Sequence, residues 1–191
     1  MKNNTFIYLL TVLFLNACNQ SESIPDPRPK AQIQFLHKVA DLASEMKMVG
    51  NEIVVDDRLD SCRKAISRYV KDTLNNKFDN WVLRVEDINN RPMGFDVVEL
   101  TLLTHVDFNL DSKYPQSDSN VFKSYIHYDK KSAIDSLKNI VKGDLVKVSG
   151  TFDLKNKLLE LAVNSTSYSE TALFENPKFS FTLKSISKSK K

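Results

Sequence analysis

The sequence predicts an α+β fold: two N-terminal helices followed by a five- to six-stranded antiparallel β-barrel, with a further helix between strands three and four. Three observations predict it. From residue 31 to about residue 77, apolar side chains recur at spacings of three and four, the period of a helix with one buried face. From Phe78 the period falls to two, the mark of strands that lay one face on a core. One short helical stretch, Ser132–Val141, interrupts the strands after the third.

In Ala31–Val49, Phe35, Val39, Leu42, Met46 and Val49 form one stripe, with Gln34, Lys38, Asp41, Glu45 and Lys47 opposite and Gly50 as a stop. The stripe suits packing on the domain; a coiled-coil seam between subunits is the alternative, with few heptads to sustain it. Asn51–Val55 is a short connection. Asp56 or Asp57 caps a second helix to about Lys77, whose face is Leu59, Cys62, Ile66, Tyr69, Val70 and Leu74. Asp56, Asp57 and Asp60 could suggest a metal, but carboxylates are already favoured at a helix N-terminus. Cys62 on the apolar face reads as a buried thiol, with intermolecular pairing as the other option.

The strands follow. Trp81–Ile88 alternates Trp81, Leu83 and Val85 with Val82 and Arg84, and Asn89–Gly94 is a turn by composition. Phe95–Phe108 is a second strand, Asn109–Asn120 a polar loop, and Val121–Tyr128 a third strand with Phe122, Ile126 and Tyr128 against Tyr125 and His127. In Ser132–Val141, Ser132 is the expected cap and Ile134, Leu137, Ile140 and Val141 the apolar face, with Gly143 as stop. Asp144–Leu154 places Val146, Val148, Phe152 and Leu154 on one face with Gly150, and a glycine inside a strand marks a bulge or barrel corner. Lys155–Lys157 turns into Leu158–Ser165. Lys178–Ile186, alternating Phe179, Phe181 and Leu183, is the last strand.

Strand, strand, strand, helix, strand, strand is the element order of the OB-fold. The run from Leu137 through Gly143-Asp144-Leu145-Val146-Lys147-Val148-Ser149-Gly150 to Phe152 resembles the passage from helix to strand in OB-fold proteins. Order and passage together resemble the anticodon-binding-like OB domains of bacterial proteins, many of them exported. The resemblance covers residues 78–186 and implies an OB-like barrel. It implies no activity, since OB-folds host unrelated roles. The chain departs from nucleic-acid-binding members, which need a basic groove with aromatic platforms. Here Trp81, Phe95 and Tyr125 are scattered, and lysines alternate with acids.

The first residues carry an address. Lys2, then the apolar run from Thr5 to Leu15, then a small residue before a cysteine, form a secretory signal over residues 1–17. The run is shorter than the roughly 20 residues that span a bilayer. Leu15-Asn16-Ala17-Cys18 resembles the lipobox of bacterial lipoproteins, with Asn16 at the tolerant second position. That resemblance implies cleavage before Cys18, a diacylglycerol on its thiol and an acyl chain such as palmitate on the new amine. Residues 18–30, with Pro25, Pro27 and Pro29, read as a tether and, less commonly for this position, as a proline-motif ligand. No Asp follows Cys18, so the expected place is the outer membrane, facing the periplasm. Residues 31–77 are then a helical segment, 78–186 the OB-like barrel and 187–191 a basic tail.

The charge is mildly basic, with 27 Lys and Arg against 24 Asp and Glu and a net charge of +3. A nucleic-acid binder needs a stronger bias. The tail lysines Lys184, Lys188, Lys190 and Lys191 would give only weak, salt-sensitive attraction to a polyanion. His37, His105 and His127 share no metal-ligand spacing with each other or Cys62. Only a pairing of His105 with His127 across neighbouring strands stays open. The four glycines do not cluster into a phosphate loop. No catalytic residue, metal or cofactor is expected, and Cys18 is the one site residue. The expected role is a membrane-anchored protein-binding accessory module with an envelope protein as partner, using the loops Asn89–Gly94 and Asn109–Asn120. A periplasmic enzyme inhibitor or immunity-type protein is the nearest alternative. A nucleic-acid or oligosaccharide binder, or a hydrolytic enzyme, represents other classes. Nothing in the sequence sets the oligomeric state.

Overall fold

The computed structural model describes residues 26–47, 55–91, 96–104, 120–156, 158–162 and 177–189. Within them the chain forms helices α1 (Lys30–Lys47) and α2 (Val55–Asp72), strands β1 (Lys77–Arg91), β2 (Val97–Leu103) and β3 (Val121–His127), helix α3 (Lys131–Leu137), strand β4 (Leu145–Phe152), three two-residue strands β5 (Leu154–Lys155), β6 (Leu158–Leu159) and β7 (Leu161–Ala162), and strand β8 (Lys178–Lys188). The long strands run β3-β2-β1-β4-β8 and close through β3 and β8. The fold is α+β with a closed five-stranded barrel, consistent with an OB-like architecture.

The barrel is mixed, where a wholly antiparallel one was expected. Four neighbour pairs are antiparallel, and β3 with β8 is parallel, Val121 lying opposite Lys178 and Lys123 opposite Ser180. The reason is arithmetic: an odd number of strands cannot alternate direction all the way round a ring. β1 belongs to both halves of the wall. Lys77–Arg84 pairs with β4 and Arg84–Arg91 with β2, with register shifts at Phe78/Trp81 and Val85/Asp87 where it bends.

Seven aromatic rings fill the lumen. Phe78, Trp81, Phe122, Phe152, Phe179 and Phe181 come from the strands, and Phe35 comes from α1. Phe35 lies 5.1 Å from Trp81, 5.1 Å from Phe179 and 5.5 Å from Phe152, centroid to centroid, within the range of attractive aromatic pairs. α1 is therefore part of the barrel core. Its first turn is fastened by Gln32, which is fully buried. The Gln32 Nε2 donates to the Val82 carbonyl and the Val82 N–H donates to Gln32 Oε1, both at 2.8 Å. β2 ends opposite Arg84, so this side-chain amide takes the place of the missing strand at Val82.

Arg28, within the expected tether, packs into the domain while Asp26 and Pro27 stay exposed. Arg28 is buried and its Nε donates to Asp26 at 2.9 Å. Burial works against the Asp26 charge, but the Arg28 bonds outweigh it and hold the carboxyl below its usual range. α2 leans on the short hairpin, where the Leu159 N–H donates to Ser67 Oγ at 2.8 Å. The helix stops at Asp72, short of Lys77, because Asn75 and Asn76 take positive φ and the Asn76 N–H closes on the Val70 carbonyl at 2.9 Å. Asparagine tolerates that conformation better than most residues.

Other expectations are corrected. α3 starts at Lys131 with Lys130 at the cap position and no side-chain cap bond, so Ser132 does not cap it. Leu137 and Ile140 enter the core, but Val141 is 59% exposed. Gly143, at φ +89°, makes the turn into β4, and its N–H donates to the Val85 carbonyl at 2.8 Å. Asn89–Arg91 belong to β1, facing Glu99–Val97, and Leu154 is exposed. Ser187 and Lys188, assigned to a tail, pair with Lys147 and Val146, since the β4 edge takes a backbone partner whatever its side chains. The Lys188 amine holds Asp144 at 2.8 Å.

Two predictions arise from these elements. The Lys188 bond, aided by the Val141 N–H, holds the Asp144 carboxyl below its usual range. A carboxyl depressed by folding adds stability above its unfolded pKa of about 3.9, and this is lost as pH falls through the lower folded value. Asp144→Asn should therefore flatten the acid limb of a stability profile below about pH 4; an unchanged limb would refute the pairing. Gly150 sits at a register shift between β4 and β8. A Cβ there would lie 2.8 Å from the Thr182 carbonyl oxygen and 2.9 Å from Phe181 and Phe78 ring carbons. Backbone cannot swing aside as a flexible side chain can, so Gly150→Ala should cost about 1–3 kcal/mol in chemical denaturation; a stability equal to wild type would contradict the close packing.

Candidate interaction face

Strand alternation dictates what the outside of the barrel presents. Val98, Leu100 and Leu102 of β2 and Phe122 and Ile126 of β3 point to the core. Glu99, Thr101, Lys123, Tyr125 and His127 therefore share the outer surface, with Glu99 opposite Tyr125 and Thr101 opposite Lys123. β8 extends the face with Lys178 and Ser180.

The charges are unevenly solvated. Glu99 is only 3% exposed although it lies on the outer face, and Lys123 forms an ion pair with it. Burial pushes the Lys178 amine below its usual range, the Lys123 charge pushes the same way, and Glu99 opposes both. Glu99 thus pairs with Lys123 and also favours the charge on Lys178. Tyr125, opposite Glu99 in the register, is 55% exposed, with His127 exposed beside it. An exposed phenol on the same face as an ion pair offers both apolar and hydrogen-bonding contact.

The residues singled out in the sequence are not brought together. Cys18, the signal segment and His105 lie outside the described residues, as do 92–95 and 105–119, which hold most of the two expected contact loops. Asn120 is buried and belongs to the β2–β3 junction, where its carbonyl accepts from the Thr104 N–H. His37 is half-buried on α1 and His127 is on β3. Cys62 is a buried free thiol whose pKa burial pushes up, with Glu45 adding and Arg58 and Lys38 opposing, so it stays protonated as a core apolar group does. Asp60 pairs with Lys64 on α2 at 2.6 Å. Among the described residues no cluster of His, Cys, Asp and Glu could hold a metal ion, and no helix is long and apolar enough to cross a membrane.

Sequence reading missed Glu99–Lys123, Gln32–Val82 and Arg28–Asp26. A Glu between Val98 and Leu100 and a Lys beside Phe122 were visible as outward residues, but their meeting depends on register between two strands separated by a long connection. Comparison with protein families, with curated proteins and with solved structures gives no match for this chain.

Proposed function

We propose that this chain is a lipid-anchored envelope lipoprotein, held through Cys18 at the outer membrane facing the periplasm, whose OB-like barrel is a protein-binding accessory module. The observation that carries the reading is the filled lumen. Among the described residues seven rings pack the lumen, and α1 and α3 add core residues to it, whereas small-ligand sites are roomy apolar clefts. Recognition falls to the outer surface, where Tyr125, Lys123 and His127 form the most chemically varied described patch. The leader and lipobox-like Leu15–Cys18 support the anchor. Lys188 is held by Asp144 within the sheet, which leaves the basic tail one charge weaker as an attraction for nucleic acid.

A photo-crosslinking amino acid placed at Tyr125 in cells should capture an envelope protein that the same residue at Leu154 does not, and mass spectrometry should find an acylated N-terminus at Cys18. Equal capture from both positions, or none at Tyr125, would remove the face from the proposal. A Cys18→Ala protein that still fractionates wholly with the outer membrane would remove the anchor. Tight binding of single-stranded nucleic acid that persists at high salt and is lost on Tyr125→Ala would replace the protein partner by a nucleic acid.

A further inference from the structure

The anchor and the fold meet close together, and the sheet at that point is basic. We infer that the outer surface of β1, β4 and β8 beside Val82 docks on the anionic phospholipid headgroups of the bilayer that carries the anchor. This rests on the lipid-anchor reading of Cys18.

The first argument is reach. Arg28 is buried in the domain, so only the ten steps from Arg28 back to Cys18 lie between fold and anchor. Fully extended they cover at most about 36 Å. The barrel is thereby confined to the membrane surface at an effective concentration on the order of millimolar, where weak attractions suffice.

The second argument is which side is turned to the membrane. The Pro29 carbonyl accepts from the Gln32 N–H at 2.9 Å, and Gln32 is clamped to Val82, so the entering chain is pinned at the β1 edge. Moving away from that edge, register places Lys147 opposite Val82 and Ser187 opposite Lys147, with Arg84 opposite Leu145 in the next row. Ser185 continues the face, while Ser149 opposite it is buried and accepts from the Asn80 N–H at 3.0 Å. Arg84, Lys147 and Lys184 have no ion-pair partner among the described residues, whereas Lys142 holds Glu86 and Lys188 holds Asp144. With Asp79, exposed at the β1 bulge, five cations stand against three carboxylates, an excess of two in this one region of a chain whose net charge is +3. Juxtamembrane cations of this kind are drawn to anionic lipid within a Debye length.

Trp81 is the only tryptophan and sits in the barrel, so it reports the distance of the domain from the bilayer. The chain beginning at Cys18 is coupled through that thiol to maleimide lipid in vesicles, Cys62 being buried, and energy transfer from Trp81 to dansyl-labelled headgroups is measured. Transfer should be about twofold higher on vesicles with one-third phosphatidylglycerol than on phosphatidylcholine alone, and should fall to the neutral level at high salt. Arg84→Glu with Lys147→Glu should abolish the difference, Lys147→Glu alone should reduce it, and Lys130→Glu, away from the face, should leave it intact. Equal transfer on both vesicles, or a difference that survives the reversal, would overturn the docking. The coupling is chemical, so this result does not depend on whether cells lipidate Cys18, which the mass of the N-terminal peptide decides separately.

Discussion

Replacing Phe35 with alanine is expected to lower the unfolding free energy by about 3–5 kcal/mol, the range for deleting a buried aromatic ring. Against a typical total of about 5–15 kcal/mol this is a fifth or more of the fold. The size follows from position: Phe35 is fully buried and meets Trp81, Phe122, Phe152 and Phe179, so the cavity left behind is lined by rings from four strands that cannot all close in. Chemical denaturation followed by Trp81 fluorescence measures it. A loss under about 1 kcal/mol would mean that α1 merely rests on a barrel complete without it.

Gln32→Leu should be nearly as damaging, for an electrostatic reason. Leucine fills similar space but neither donates nor accepts, so the Val82 N–H and carbonyl lose their partners inside the fold. Each buried backbone group left unsatisfied costs about 1–3 kcal/mol, for a total of about 2–6 kcal/mol. Gln32→Glu should also destabilise near neutral pH, because a carboxylate can accept from the Val82 N–H but repels the carbonyl it replaced a donor to. The two variants, melted alongside wild type, test the clasp; transitions unchanged in both would show that water serves Val82 equally well.

The two energies explain what could be read in advance. The apolar stripe of α1 was visible because periodicity of three and four needs only neighbours in sequence, and Phe35, Val39, Leu42 and Met46 are all buried. Gly150 was visible as a corner because a glycine in an alternating strand has few other reasons to be there. Gln32 was invisible: among Ala31, Ile33 and Gln34 it looks like a solvated helix residue, and only the early end of β2 creates the gap it fills. The parallel closure was hidden for a related reason, since strand direction round a ring depends on how many strands take part. The outer face was partly legible. Alternation places Tyr125 and His127 outward, but the burial of Glu99 beneath Lys123 depends on pairing that no local pattern encodes. The error over Ser187 and Lys188 has the same root, because polar composition was read as a tail while β4 supplied a pairing partner.

The position of Phe35 bears on how the polypeptide can be delivered. Its ring packs on Phe179, near the far end of the chain, and the parallel seam joins Val121 to Lys178. A polypeptide emerging from a ribosome or threaded through a membrane pore presents residue 35 long before residue 179. Until the last strand arrives, α1 has no lumen to enter and the wall has no closing partner. The native core is therefore out of reach of any unfinished chain. Contacts between such distant positions also form slowly once both ends are present. Such a core defers folding until β8 has joined the wall.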